Sequence, residues 1–342
     1  MVWTGTIFVT TRDGRQVDAL LERTLRPFLA LSDEAHAQVT RDLESGADYY
    51  ASPEEFRDSL EAAIAHRGGD VQTPVRLWQN LQEPTPLGLI ESFAGEALIY
   101  QERYAEGVPL LQTYQAVAES LEGALAGDIA YTLSWLAYGL HGQGKLREAE
   151  RVTELAVDAL RVLGLVDLPQ YAIAALPAGW VAWERGDLTA AENIVDALMS
   201  ELGLYGEIPT TVLAHMLQAR VRFSKGDPEA AFAALHEAWV PRAAQPVRGH
   251  FAERITFEQV RLRLLLGDPA AARLDLPDWR ERIERGPAGM REQLLLARLL
   301  IESGEDATAL LEALPAGAEV TVVHEMELAK LRALVARRDG DE

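Results

Sequence analysis

The segment from Gly139 to Lys145 reads GLHGQGK, which has the spacing of a phosphate-binding loop. Such a loop follows a strand, cradles phosphate with backbone N–H groups, and needs Ser or Thr after its lysine to hold magnesium. Leu146 occupies that last position, and the segment ends a predicted helix. We therefore interpret it as a turn between two helices, and we expect no nucleotide or other cofactor there.

The histidines of this chain give no recognisable metal or catalytic site. None forms an HExxH pair, and no carboxylate stands at a clear companion spacing. The sequence also contains no GxSxG motif and no cysteine. It therefore predicts no catalytic residue, no metal and no enzymatic activity. An enzyme would need a buried cluster of histidine and carboxylate groups, which this sequence does not reveal.

Aromatic and arginine side chains recur at one set of positions along the chain. These positions lie 13, 10, 6, 3 and 2 residues before six regularly spaced turns, on one face of each predicted helix. Arginine supplies planar donors for carboxylate or phosphate, and aromatic rings supply rigid apolar area. The resulting candidates for a ligand-binding groove are Tyr100, Tyr131, Tyr138, His141, Trp180, Trp183, Arg220, Phe223, Arg254, Phe257, Arg261, Arg291 and Arg298.

The same residues also have a structural interpretation. The arginines would then be solvated residues paired with nearby glutamates, and Trp180 and Trp183, at helical spacing, would fill the core between repeats. The binding interpretation instead places four glutamates off the arginine face: Glu253, Glu258, Glu281 and Glu284.

The turns that define these positions recur at a nearly constant interval. They are anchored at Glu102, Gly144, Gly186, Gly226, Gly267 and Gly304, with gaps of 42, 42, 40, 41 and 37 residues. A small residue follows each anchor by five positions, and another precedes each anchor by seven, with Val260 as the exception. Small residues are needed where two helices cross closely, so the pattern predicts repeated helical hairpins.

The hairpins assign most of the chain to helices. First helices are predicted at Leu87–Gln101, Ile129–Gln143, Tyr171–Arg185, Thr211–Lys225, Ile255–Leu266 and Met290–Ser303. Second helices are predicted at Tyr104–Glu119, Leu146–Leu163, Leu188–Leu202 and Pro228–Trp239, and a closing helix at Val322–Arg337. Gly-Asp steps supply a helix stop and an N-cap, and Pro177 is expected to kink the helix that contains it.

The beginning of the chain lacks this repeat. Strand-forming residues around Asp13-Gly14 predict a β-hairpin at 2–17, followed by irregular helices. We expect residues 1–85 to form an N-terminal cap or small domain, and 339–342 a disordered tail. Residues 86–338 are expected to form an all-α superhelical solenoid of about six antiparallel helix hairpins, with a repeat of about 40 residues.

The small residues around each turn glycine resemble those of tetratricopeptide repeats, whose usual length is about 34 residues. Within residues 264–314, the stretches LLLGDPAAARLDLPDW and REQLLLARLLIESGEDATALLEAL resemble the repeat domain of MalT-type bacterial transcriptional regulators. In that family the repeats lie between an ATPase module and a helix-turn-helix, and they sense an inducer or a regulatory protein. This sequence carries the repeats without those two modules, so the resemblance implies a stand-alone relative or a piece of a larger regulator.

Composition limits the kinds of partner. The 342 residues carry a net charge of −21, which repels phosphate backbones, so direct binding of nucleic acid is not expected. The chain shows no signal-peptide pattern and no apolar run long enough to span a bilayer. We therefore expect a cytoplasmic protein without a membrane contact.

The leading functional hypothesis is a non-enzymatic protein- or peptide-binding module, regulatory or adaptor, that takes an acidic segment in a concave groove. The alternative is a small-molecule sensor, in which the tyrosines and tryptophans of the groove stack on a sugar or another flat metabolite. A scaffold that associates with itself through its apolar ends is a further hypothesis.

Overall fold

The part of the chain that the structure describes is all-helical. The structure is a computed structural model, and it describes residues 58–59, 61–62, 65–66, 70–85, 88–119, 126–162, 173–205, 208–239, 249–285, 290–313 and 322–339. These ranges contain fifteen α-helices and no strand. The β-hairpin predicted at 2–17 lies outside them, as does the end of the predicted tail.

The helices predicted above are present, with ends shifted by up to six residues. After α1 (Gln72–Gln79), the first helices are α2 (Leu89–Tyr100), α4 (Ala126–Gly142), α6 (Leu176–Glu184), α8 (Ile208–Ser224), α10 (Gly249–Leu265) and α13 (Met290–Glu302). The second helices are α3 (Tyr104–Glu119), α5 (Leu146–Val162), α7 (Leu188–Tyr205), α9 (Pro228–Ala238), α11 (Pro269–Asp275) and α14 (Thr308–Glu312). The remaining two helices are α12 (Trp279–Arg285) and α15 (Val322–Asp339).

All six turn anchors adopt a left-handed backbone. Their φ angles are 63° at Glu102 and between 72° and 84° at the five glycines. The residue after each anchor donates its N–H to the carbonyl five positions earlier, and the anchor donates to the carbonyl three positions earlier. These two hydrogen bonds are the Schellman ending of a helix, which favours glycine at the left-handed position. The sequence interval therefore marks six helix ends of the same kind, and GLHGQGK is one of them.

The residues after the turns start the next helices as predicted. The Oδ1 atoms of Asp187, Asp227 and Asp268 accept hydrogen bonds from the backbone N–H three residues later. The expected kink at Pro177 is wrong, because α6 begins at Leu176 and Pro177 therefore lies in its first turn. A proline is favoured there, since that N–H has no partner inside the helix.

Small residues allow the helices of a hairpin to cross closely. A Cβ atom on Gly107 of α3 would lie 2.7 Å from the carbonyl oxygen of Gly95 in α2. The equivalent residues of the next four hairpins, Ala149, Ala191, Ala231 and Ala272, are fully buried. Ala309 of the short helix α14 is exposed, so the expected small-residue contact does not extend to the last hairpin.

The first helices form a row in which each packs against the next. This first-helix row runs α2, α4, α6, α8, α10, α13, and each second helix packs against its own first helix. A second helix also contacts the first helix of the following hairpin, except that α14 contacts α15. One apolar core cluster runs from α1 to α10 and another from α10 to α15, so that α10 belongs to both.

The first-helix row also contacts itself over a long distance in the chain. The carbonyl of Tyr100, at the end of α2, accepts hydrogen bonds from His250 Nε2 at 2.6 Å and from Arg254 Nη1 at 3.0 Å. The rings of Tyr100 and Phe251 pack edge to face, with their centres 5.3 Å apart. The beginning of α10 therefore covers the C-terminal end of α2. No helix within the described ranges is long and apolar enough to cross a membrane.

Candidate functional site

The candidate residues divide into a buried group and a partly exposed group. Tyr100, Tyr138, Trp180 and Arg254 are at most 4% exposed. The others are partly exposed: Tyr131, His141, Trp183, Arg220, Phe223, Phe257, Arg261, Arg291 and Arg298. A ligand can reach the second group directly, whereas the first would have to be uncovered.

The buried aromatic residues pack between successive first helices. The ring of Tyr138 in α4 lies 6.1 Å from that of Trp180 in α6, and Trp180 lies 6.1 Å from Trp183. These are edge-to-face contacts inside the apolar core. Tyr138 and Trp180 are therefore core residues in this structure, and any role in binding stays a prediction.

Each candidate arginine has a carboxylate partner within the described chain. Most of these partners lie outside the arginine's own helix, on another helix or in the turn at Glu102, which the sequence could not indicate. Arg220 and Arg261 share Glu258, Arg254 and Arg291 share Glu102, and Arg298 lies near Glu302 and Glu327.

Glu258 was expected to lie off the arginine face, and this expectation is wrong. Arg254, Glu258 and Arg261 are spaced by four and three residues in α10, which places them on one helix face. Only 2% of the Glu258 side chain is exposed, and it accepts two hydrogen bonds from Arg220 at 2.8 and 2.9 Å and three from Arg261, the shortest at 2.6 Å. Burial acts to raise the pKa of Glu258, but the two guanidinium groups lower it far below the usual 4.5.

Around Glu258, side chains from four consecutive first helices form one connected surface, which we call the first-helix patch. The guanidinium carbon of Arg220 lies 4.8 Å from the ring centre of Trp180 and 5.1 Å from that of Trp183. The Trp183 indole N–H donates to Ser224 Oγ at 3.1 Å. The patch consists of His141, Trp183, Glu184, Arg220, Glu258 and Arg261.

Electrostatic contacts extend the patch to α4. His141 Nε2 lies 3.6 Å from Glu184 Oε1. Partial burial acts to raise the pKa of Glu184, while His141, Arg220 and Arg261 lower it below its usual value. The patch therefore presents oriented guanidinium groups, a tryptophan face and ionised carboxylates. This combination suits a segment that carries a charged side chain next to an apolar one.

A second polar cluster escaped sequence reasoning. His66 Nε2 lies 2.7 Å from Glu96 Oε2 and 2.8 Å from the Tyr100 hydroxyl. Ser92 Oγ lies 3.2 Å from Thr132 Oγ1 beside them. All five side chains are at most 4% exposed, so this convergence of histidine and carboxylate offers no open face to a substrate. The available signal was the presence of two glutamates, Glu91 and Glu96, in the mostly apolar α2, because a buried carboxylate must be paired.

Glu102 is the one non-glycine residue with a positive φ in the described ranges. A non-glycine residue in this conformation costs about 1 kcal/mol or more. Its Oε1 lies 2.7 Å from Nη2 of Arg291 and 3.3 Å from Nη2 of Arg254. Burial acts to raise the pKa of Glu102, but these arginines lower it below its usual value.

Comparison with protein-family models and with curated proteins identifies no counterpart of this site. The sequence matches no protein-family model and no curated protein. Within the described ranges, no group of three or more histidine, aspartate or glutamate residues could hold a metal ion. The function must therefore be argued from the geometry, and the resemblance to tetratricopeptide and MalT-type repeats stays a prediction.

Proposed function

We propose that this protein is a non-enzymatic helical-repeat module that binds a segment of a partner protein, in a regulatory or adaptor role, through the first-helix patch. The observation that supports this proposal is that Arg261 and Trp183, which both belong to the first-helix patch, are partly exposed. The Arg261 side chain is 29% exposed, although Glu258 fixes its guanidinium group. Such an oriented but accessible arginine is typical of residues that dominate binding energy.

The chemistry of the patch suggests the kind of segment that it binds. An acidic side chain of the partner would pair with Arg261, and an adjacent apolar side chain would cover the open part of Trp183. In this proposal the first-helix row is the inner wall of a superhelical solenoid.

The test is affinity capture from the source cells with matched variants. Trp183→Leu combined with Arg261→Gln removes the accessible parts of the patch while Glu258 keeps Arg220. The control is Arg185→Gln, which removes a surface arginine that is paired with Glu150 outside the patch. Circular dichroism must show that all variants keep their helical content.

We expect a partner that the wild type and the control capture and that the patch variant loses. With that partner purified, the patch variant should raise the dissociation constant at least about tenfold, which corresponds to about 1.4 kcal/mol. An unchanged dissociation constant would place the binding site elsewhere. Failure of the wild type to capture anything would contradict the adaptor function itself.

A small-molecule sensor is the second candidate, and one observation favours it. The indole N–H of Trp180 is buried and has no hydrogen-bond partner within the described ranges. A flat ligand with an acceptor beside Arg220 would satisfy it, and binding would raise the thermal midpoint of unfolding. Metabolites that shift this midpoint for the wild type should act less on Trp180→Phe, which lacks the donor. Equal shifts in both would argue against this site.

A further inference from the structure

Two arginines converge at the C-terminal end of α2 although they come from distant parts of the chain. Arg254 lies in α10 and is 3% exposed, whereas Arg291 lies in the first turn of α13 and is 33% exposed. Arg254 is held in place by the Tyr100 carbonyl at 3.0 Å and by the Tyr138 hydroxyl at 3.3 Å. The pair is therefore fixed on its buried side and reachable from solvent on the side of Arg291.

Glu102 lies between these arginines but uses little of their hydrogen-bonding capacity. Its Oε1 is within ion-pair distance of both, yet it makes no hydrogen bond of normal geometry within the described ranges. The buried Nε of Arg254 also has no hydrogen-bond partner there. Arginine binds a carboxylate most strongly through two parallel hydrogen bonds, and these contacts do not provide them.

The backbone explains why Glu102 is constrained. It occupies the left-handed position that is glycine in the other five turns. The turn therefore sets the direction of its Cα–Cβ bond, which limits where its carboxylate can lie. The positive charges of Arg254 and Arg291 outnumber the one negative charge of Glu102, and His324 also acts to lower the pKa of Glu102. The nearby His250 is neutral near pH 7, because burial and Arg254 lower its pKa to about 4.

We propose that Arg254 and Arg291 form a carboxylate-binding site, which Glu102 fills from within the chain and which a free carboxylate can fill in its place. A free carboxylate can turn to make the hydrogen bonds that Glu102 does not make. The site shares no residue with the first-helix patch, and its test needs no partner protein.

The test uses propionate, which matches the side chain that Glu102→Gly removes. This variant places at position 102 the residue that the other five turns have, so the turn itself should form. Thermal unfolding is followed by circular dichroism in sodium propionate and in sodium chloride of equal ionic strength, with propionamide as an uncharged control. We expect propionate to raise the midpoint of Glu102→Gly saturably, by about 2–4 °C more than chloride or propionamide.

Two further variants make the result specific. The wild type should respond less, because Glu102 competes with propionate, and Glu102→Gly with Arg291→Gln should lose the response. Equal effects of propionate and chloride, or an undiminished effect without Arg291, would overturn the proposal. Should Glu102→Gly not fold in chloride, it is refolded from urea in each salt. Recovery of helical structure in propionate alone then supports the site, and recovery in neither salt contradicts it.

Discussion

His250 is a partly buried histidine whose environment favours the neutral form. Its Nε2 donates to the Tyr100 carbonyl, and Arg254 lies one helical turn away. Burial, followed by the positive charge of Arg254, lowers its pKa from 6.5 to about 4. The hydrogen bond to Tyr100 and the charge of Glu102 act in the opposite direction but do not compensate.

Because of this lowered pKa, the free energy of unfolding should already fall at pH values above those at which carboxyl groups usually titrate. Between pH 6.5 and 4 the unfolded chain binds a proton at this position that the folded chain does not bind, so the free energy of unfolding falls as the pH falls. We expect a loss of about 2 kcal/mol between pH 7.5 and 5 from this residue. Urea unfolding at pH 7.5, 6.5 and 5 measures it.

Two glutamine variants isolate the contribution of His250. His250→Gln keeps a donor for the Tyr100 carbonyl but cannot titrate, so its stability should change less over this range. His236→Gln, in an exposed position of α9, should keep the wild-type dependence. The same pH dependence in His250→Gln and the wild type would show that another group is responsible.

At the level of elements, the close crossing of α2 and α3 makes a sharp prediction. Gly107→Ala would bring a Cβ atom to 2.7 Å from the Gly95 carbonyl oxygen, which is backbone and cannot move without shifting α2. We expect a loss of about 1–3 kcal/mol in the free energy of unfolding, measured with urea.

Gly95→Ala is the matched control for this crossing. Its Cβ atom would chiefly meet the end of the flexible Leu111 side chain, at 2.7 Å. A gain in helix propensity of up to about 1 kcal/mol offsets part of that strain. We therefore expect a smaller loss than for Gly107→Ala, and losses of equal size would mean that the two helices do not approach as closely as described.

Helix ends were predictable because their signals are local. A left-handed glycine followed by an N-cap aspartate fixes where one helix stops and the next begins, whatever lies around them. The error at Pro177 arose because periodicity alone placed the start of α6 too early, at Tyr171. A proline suits the first turn of a helix as well as a kink, and the sequence did not distinguish the two.

The candidate site was less predictable, since periodicity gives the face of a helix but not what covers it. The sequence pattern places aromatic and arginine residues at one set of helix positions, and their role in binding stays a prediction. Whether Tyr138 is buried by the next helix, or Glu258 is enclosed by Arg220, depends on contacts between residues far apart in the sequence. Arg220 and Glu258 are 38 positions apart, and Arg254 contacts Tyr100 across 154.

At the level of the whole molecule, the return contact between α10 and α2 distinguishes this chain from a simple linear repeat. In such a repeat each unit contacts only its neighbours, so that units can unfold separately. Here the two apolar core clusters meet in α10. His250 and Arg254 of α10 also bind the Tyr100 carbonyl at the end of α2, and Arg254 and Arg291 pair with Glu102 just after it. We therefore expect the two clusters to unfold together in one transition.

Removing the return contact should separate the two clusters. His250→Ala with Arg291→Gln weakens it, and we expect a broader urea transition with a lower apparent m value, because the clusters then unfold at different concentrations. His236→Ala with Arg298→Gln is the control, since the ion pairs of Arg298 in the described chain are with Glu302 and Glu327 and not with the end of α2. The control should at most shift the midpoint at unchanged m value. If both double variants keep the wild-type m value, the return contact does not couple the clusters, and their shared helix α10 is sufficient for cooperative unfolding.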